Sequence, residues 1–285
     1  MSDYTILTDS ACDISASLLN EWGVRYASLS FRFDNDGKDY LNDEMNGVEF
    51  YKNVRNGKRA KTAAVNVDAM KNLMESELEK GNDVLYIGFS SGLSATYNSG
   101  ASAADELRRH YPDRKIYTVD SLAASAGEGL LLYLTVERKR AGASVDEAAA
   151  FASDTKLKIC HWFTVDDLKY LKAGGRVSAA TAVIGGMLGV KPIMHVDNDG
   201  HLIKRSTVRG RIKSIWALGD KFAELATDKR VFISHGDCED EARLLKSYVE
   251  EKYGARVEII TFVGPVIGAH SGPGTMAIFF VGTHR

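Results

Sequence analysis

The chain has 285 residues, 45% of them hydrophobic, and its 36 Lys+Arg against 38 Asp+Glu leave a formal charge of -2. That length suits two lobes, that apolar share suits a sizeable core, and the balanced charge offers no footprint for nucleic acid or an anionic surface. Cys12, Cys160 and Cys238 lie too far apart for a disulfide framework, and no stretch nears the ~20 apolar residues of a membrane span, so a cytoplasmic protein with at most transient membrane contact is expected.

The first half repeats an apolar run that ends in small polar residues and is followed by a segment of helical period, the pattern of a parallel sheet. Residues 4–7 run into Thr8-Asp9-Ser10, 83–89 into Ser90-Ser91-Gly92, and 115–119 into Asp120-Ser121. Between them 67–80 places Met70, Leu73, Met74 and Leu78 at helical spacing with Gly81 as a stop, and 101–110 follows as another helix. In open α/β sheets ligands bind beyond the carboxyl ends of the strands, where these polar triplets fall.

Helices at 127–139 and 144–153 close this half, and a boundary near 155 divides the chain into lobes 1–155 and 156–285. Beyond it, 159–165, 190–196 and 201–208 read as strands, the last two flanking the hairpin turn Asp197-Asn198-Asp199-Gly200. A helix over 165–172 stops at Gly174-Gly175, helices follow at 211–226 and 240–252, and strands at 230–234, 257–263 and 276–281. The expected fold class is α/β in two lobes: an N-terminal three-layer parallel-sheet lobe and a C-terminal α+β lobe with a mixed or antiparallel sheet, the ligand lying between them.

Gly88-Phe89-Ser90-Ser91-Gly92 matches G-x-S-x-G after a strand, and Asp120 and His270 follow in hydrolase order. A Ser-His-Asp hydrolase using Ser90 is therefore the alternative function. Against it, His270 precedes the last predicted strand and no HGGG-type oxyanion segment is present. The turn continues as Leu93-Ser94-Ala95-Thr96-Tyr97, small polar residues suited either to capping a helix or to holding an anion. Neither G-x-x-x-x-G-K-[ST] nor an opening G-x-G-x-x-G occurs, so nucleotide phosphates are poorly provided for, whereas a carboxylate needs less.

Glycines and prolines surround His270 over 264–274 and predict a tight loop. An imidazole held there either plays a structural part or donates to a carboxylate, lowering the cost of burying that charge. Arg176, just past Gly174-Gly175, reaches a ligand or only a carbonyl, and Arg209, Arg211 and Lys213 put positive charge at a helix start, which hints at an anionic partner. His235-Gly236-Asp237 lacks the further ligands of a metal shell and reads as a turn, so no metal or cofactor is expected.

Taken together, Thr8-Asp9-Ser10 with Asp13, Ser90-Ser91-Gly92-Leu93-Ser94, Asp120-Ser121 with Gly127 and Gly129, and the stretches 171–178 and 264–274 resemble the DegV family along the whole chain. The resemblance implies a two-lobed fatty-acid carrier with no chemistry of its own. It further implies the acyl-binding subunit of a bacterial fatty acid kinase, in which a separate ATP-dependent subunit forms the acyl-phosphate for phospholipid metabolism. On that pattern Thr62, Ser94 and His270 hold the carboxylate of a long-chain fatty acid, and the tail fills an apolar tunnel. Ala95, Ser121, Arg176 and Arg209 fall at supporting or partner-contact positions. The family's usual TSQPS is here Thr62-Ala63-Ala64-Val65-Asn66, and its LSGTY is Leu93-Ser94-Ala95-Thr96-Tyr97. Ala95 in place of glycine is expected to restrict positive φ beside the carboxylate.

Overall fold

The computed structural model describes residues 3–34, 36–177 and 189–285; Ser178, the last residue of the 171–178 stretch, lies outside them. The first half contains β1 (Tyr4–Asp9), α1 (Ala16–Glu21), β2 (Val24–Ala27), β3 (Ser30–Phe33), β4 (Tyr40–Leu41), α2 (Gly47–Arg55) and β5 (Ala60–Ala63). It continues through α3 (Val67–Leu78), β6 (Asp83–Gly88), α4 (Thr96–His110), β7 (Ile116–Asp120), α5 (Ala126–Arg140) and α6 (Val145–Thr155). The second half contains β8 (Ile159–Thr164), α7 (Lys169–Ala173), β9 (Val190–Val196), β10 (Leu202–Arg209), α8 (Arg211–Leu225) and β11 (Ala226–His235). It ends with α9 (Glu239–Tyr253), β12 (Arg256–Phe262), α10 (Pro265–Ser271) and β13 (Met276–Gly282).

Strands β2-β1-β6-β7 form a wholly parallel sheet. Successive strand residues point to opposite faces, and both faces are apolar because helices cover both. Ile6, Leu85 and Ile87 pack with Leu130 of α5 and Ala148 of α6, whereas Leu7, Val84 and Tyr86 pack with Met70 of α3 and Leu107 of α4. The expected three-layer parallel lobe is therefore present.

The second sheet has the order β10-β9-β8-β13-β11-β12 and is mixed, with β11–β12 parallel and the other pairs antiparallel. Ile215 and Leu218 of α8 and Leu245 and Val249 of α9 cover one face. The opposite face meets α5, which also backs the parallel sheet and is buried from Ala126 to Leu132. Because it lies between two sheets, α5 has no polar stripe through that stretch. Cross-links tie the halves further: Ser90 Oγ donates to the Gly200 carbonyl (2.9 Å), and the Arg285 guanidinium donates to the Leu122 carbonyl (2.5 Å).

Several expectations are corrected. A third, antiparallel sheet β4-β3-β5 was not anticipated, and neither were α1 and α2. Its strands are two to four residues long, too short for a period to register, and its core is an aromatic cluster of Phe31, Phe33, Tyr40 and Phe50. Helix α4 starts at Thr96 rather than 101, with Gly100 seated against the Tyr86 ring. Helix α7 starts at Lys169 rather than 165, because Asp167 Oδ1 accepts from the Lys169 N–H (2.8 Å) and opens the helix there. Residues 265–271 are a helix, not a loop: Pro265 occupies the first turn, where its missing N–H costs nothing, and Gly272 at φ 79 ends it. Strand β11 begins at Ala226, four residues earlier than expected. No helix among the described residues is long and apolar enough to cross a membrane.

Candidate functional site

A cavity of about 1070 Å³, its open mouth included, lies between the carboxyl ends of the parallel strands, α10 and the mixed sheet. Most of its interior is apolar, walled by Leu29, Phe89, Phe163, Leu171, Val266 and Phe279. At the mouth stand the exposed Ala63, Ala64 and Ala95 and the half-buried Thr62, Ser94, Arg176 and His270. Four separate pieces of chain bring these together: the end of β5, the turn before α4, the residues after α7, and α10.

Thr62 Oγ1 and His270 Nε2 are 2.8 Å apart. The other ring nitrogen, Nδ1, is buried without a partner among the described residues and abuts Gly174, where a methyl group would stand 2.1 Å from it. A buried N–H without an acceptor is costly, so the ring proton belongs on Nε2, donated to Thr62 Oγ1. Thr62 then keeps its own proton for a ligand. Burial, and after it the nearby Arg176 charge, lowers the His270 pKa to about 4, which leaves the imidazole neutral at pH 7. Arg176 donates to the carbonyls of Gly174 (2.6 Å) and Leu93 (3.3 Å), which holds its guanidinium at the mouth. Ser94 Oγ lies 2.9 Å from Thr96 Oγ1 and accepts from the Thr96 N–H (3.2 Å). Ala95 sits at φ -73 and ψ -2, ordinary right-handed backbone, so the expected conflict between its methyl and a positive φ does not arise.

The remaining expected residues lie elsewhere. Ser121 Oγ accepts from the Ala123 N–H (3.1 Å) in a turn outside the cavity wall, and Arg209 is exposed at the end of β10. The hydrolase triad is not assembled: Ser90 donates to Gly200, Asp120 Oδ1 accepts from the Ser91 and Leu122 N–H groups, and the His270 ring meets Thr62. His235 ends β11, Gly236 and Asp237 follow it as a bend rather than the turn expected over all three, and Asp237 pairs with Arg55.

A second polar group was missed. Ser125 and Ser234 line the interior of the cavity, 6% and 0% exposed, and Ser125 Oγ lies 2.5 Å from Asp13 Oδ2 and 3.0 Å from Ser234 Oγ. Nearby, Asp9 accepts from the Tyr86 hydroxyl and the Phe89 N–H (both 2.9 Å), and Glu128 accepts from the Thr8 hydroxyl (2.9 Å). Burial raises all three carboxyls, Asp9 to about 6, Asp13 to about 7 and Glu128 well above its usual value. Asp9 and Asp13 stand in the motifs quoted above. Ser125 and Ser234 stand in none, and the positive φ of Ser125 (53) has no local cue, because glycine is the residue that announces such a turn.

Two sheets that share a buried helix, beside an apolar cavity with a polar mouth, define a two-lobed α/β protein. The chain belongs to the DegV family, whose profile, described as an uncharacterised protein of that family, matches residues 3–283. A DegV domain-containing protein of Clostridium perfringens is 38% identical over 289 residues, covering 99% of this chain and 98% of its own. The structure is similar to a DegV lipid-binding protein of Thermotoga maritima, with a TM-score of 0.87 and 29% identity over 99% of each chain. It is also similar to a second Thermotoga maritima protein described as revealing fatty acid binding function, with a TM-score of 0.86 and 29% identity over 99% and 100% of the two chains.

Proposed function

We propose that the chain binds one long-chain fatty acid, tail inside the cavity and carboxylate at its mouth, and presents that carboxylate to a separate kinase subunit. The observation that carries this reading is the Thr62–His270 pair at the mouth of an apolar cavity. A neutral imidazole that donates to Thr62 polarises the hydroxyl, which then donates onward to an anion. Ser94 and the Arg176 charge stand at the same mouth. Burial of the tail contributes about 0.8 kcal/mol per methylene and supplies most of the affinity, while the carboxylate contacts fix which end faces out. The lipid-binding and fatty-acid-binding relatives support the same ligand class.

The head group lies among the exposed Ala63, Ala64 and Ala95, within reach of a second protein. Phosphorylation of the carboxylate to an acyl-phosphate then falls to an ATP-dependent partner in the cytoplasm, with Arg209 as a contact. Native mass spectrometry with organic extraction tests the ligand, and fatty-acid affinity of Ser94→Ala and His270→Ala tests the site. The expected result is a stoichiometric long-chain acid on the natural protein and a loss of roughly tenfold or more in each variant with an unchanged melting temperature. Full affinity in both variants overturns the residue assignments. Failure to retain or take up any lipid overturns the ligand.

A further inference from the structure

The interior wall of the cavity is not uniformly apolar. Ser125 occupies the position that caps α5, yet its side chain makes no capping bond; φ 53 and ψ -148 turn the hydroxyl away, toward Asp13 and Ser234. A non-glycine residue held at positive φ is strained, and strain of this sort persists where the surroundings enforce it, commonly at ligand sites. Ser125 has one proton and two neighbouring acceptors, Asp13 Oδ2 at 2.5 Å and Ser234 Oγ at 3.0 Å. The contact to Ser234 has Ser125 as its donor, and when Ser125 gives its proton there the short contact to Asp13 is filled by the proton of the carboxyl, whose pKa burial raises to about 7. Ser234 is left with its own proton and no acceptor for it among the described residues, in the wall of the cavity.

A plain methylene tail drawn over this wall would exclude water and leave that hydroxyl unsatisfied, which costs affinity. An oxygen on the tail would satisfy it. The mouth is a different place: Thr62 and His270 are half-buried, whereas Ser125 and Ser234 are fully enclosed. Thr275, Ser271 and His161 line the same cavity: Thr275 donates to the Gly272 carbonyl (2.8 Å), Ser271 Oγ has no partner among the described residues, and His161 does not donate into the cavity. Its Nδ1 lies 2.9 Å from the Ile159 carbonyl, its Nε2 abuts Gly127, and β13 separates it from Ser234.

We infer that the cavity is fitted to a hydroxylated long-chain fatty acid, with Ser234 donating a hydrogen bond to the oxygen carried within the tail. The inference rests on the acyl-binding reading and names its ligand more closely.

The test is equilibrium competition on delipidated protein with octadecanoic acid and a positional panel of hydroxyoctadecanoic acids, for the natural protein and Ser234→Ala. At least one isomer is expected to bind as tightly as the plain acid or more tightly. Ser234→Ala is expected to lower the affinity ratio of that isomer to the plain acid tenfold or more. If Ser234→Ala does not fold, Ser234→Cys, which keeps the volume and weakens the donor, reads the same ratio. Isomers that all bind more weakly than the plain acid, by the same factor in protein and variant, overturn the inference and leave the acyl reading standing. Failure of both acid classes to bind overturns the acyl reading and this inference with it.

Discussion

The mouth of the cavity holds a half-buried imidazole against a glycine and the floor a fully buried one, and the two are wired oppositely. His270 at the mouth joins a side-chain hydroxyl through Nε2 and leaves Nδ1 facing Gly174; His161 on the floor meets a main-chain carbonyl through Nδ1 and leaves Nε2 facing Gly127. Burial lowers both pKa values, so both rings are neutral at pH 7. The difference lies in the partner. A carbonyl only accepts, which makes His161 a fixed strut, whereas a hydroxyl accepts and donates, so Thr62 keeps a proton to give while it accepts from His270. Burial of a histidine therefore does not separate structure from function; the group it touches does.

The sharpest way to break the comparison is the same substitution at both glycines. A methyl at Gly127 would stand 2.1 Å from His161 Nε2 and 2.8 Å from the Phe279 ring, and α5 is clamped between two sheets. Alanine gains about 1 kcal/mol of helix propensity there, but so close a contact places the overpacking cost near the top of its usual range, about 3 kcal/mol. Gly127→Ala is expected to lower the melting temperature by several degrees. Gly174→Ala places its methyl 2.1 Å from His270 Nδ1, but that ring borders an open mouth and can swing aside. Its expected effect is a roughly tenfold loss of fatty-acid affinity with little change in melting. Equal destabilisation by both would dissolve the distinction between the two imidazoles.

A smaller effect sharpens the contrast between carboxyls and imidazoles. Asp13 and Asp9, raised from 3.8 to about 7 and about 6, hold more protons in the folded chain than in the unfolded one. Their contribution to stability is full below pH ~4 and is lost as pH rises to about 7. His270, lowered from 6.5 to about 4, works in reverse: its contribution is full above about 6.5 and is lost as pH falls toward 4. Urea unfolding across this range is expected to show a decline with rising pH that Asp13→Asn reduces by roughly 1–2 kcal/mol. An identical pH profile in the variant would remove Asp13 as its source. Smallest of all, Arg176→Gln is expected to weaken fatty-acid binding about threefold, less at high salt, since its charge is partly solvated. A loss larger than that of His270→Ala would move the head-group contact from the hydroxyl pair to the guanidinium.

Most of the sheet framework was legible because it rests on local periodicity. Strand β6 is a continuous apolar run and α3 places Met70 and Met74 on one face, so each announces itself without knowledge of its neighbours. Failures fell where elements are short or where tertiary contacts decide. The strands of the third sheet give no period, and α10 hides behind glycines and a proline that read as a loop. Thr62 sits on that unforeseen sheet and His270 on that unforeseen helix, so both ends of the central hydrogen bond occupy elements the pattern misassigned, although the resemblance named the residues themselves.

Sequence alone determined the alternation of strands and helices, the polar strand ends of the first half, and the family, since each is written in local order and spacing. Only the tertiary structure decided which polar groups share a cavity. Thr62 and His270 lie 208 residues apart, and Ser125 and Ser234 are separated by 109. Adjacency across such distances is set by how sheets stack and helices dock, and nothing in the local residue pattern encodes it.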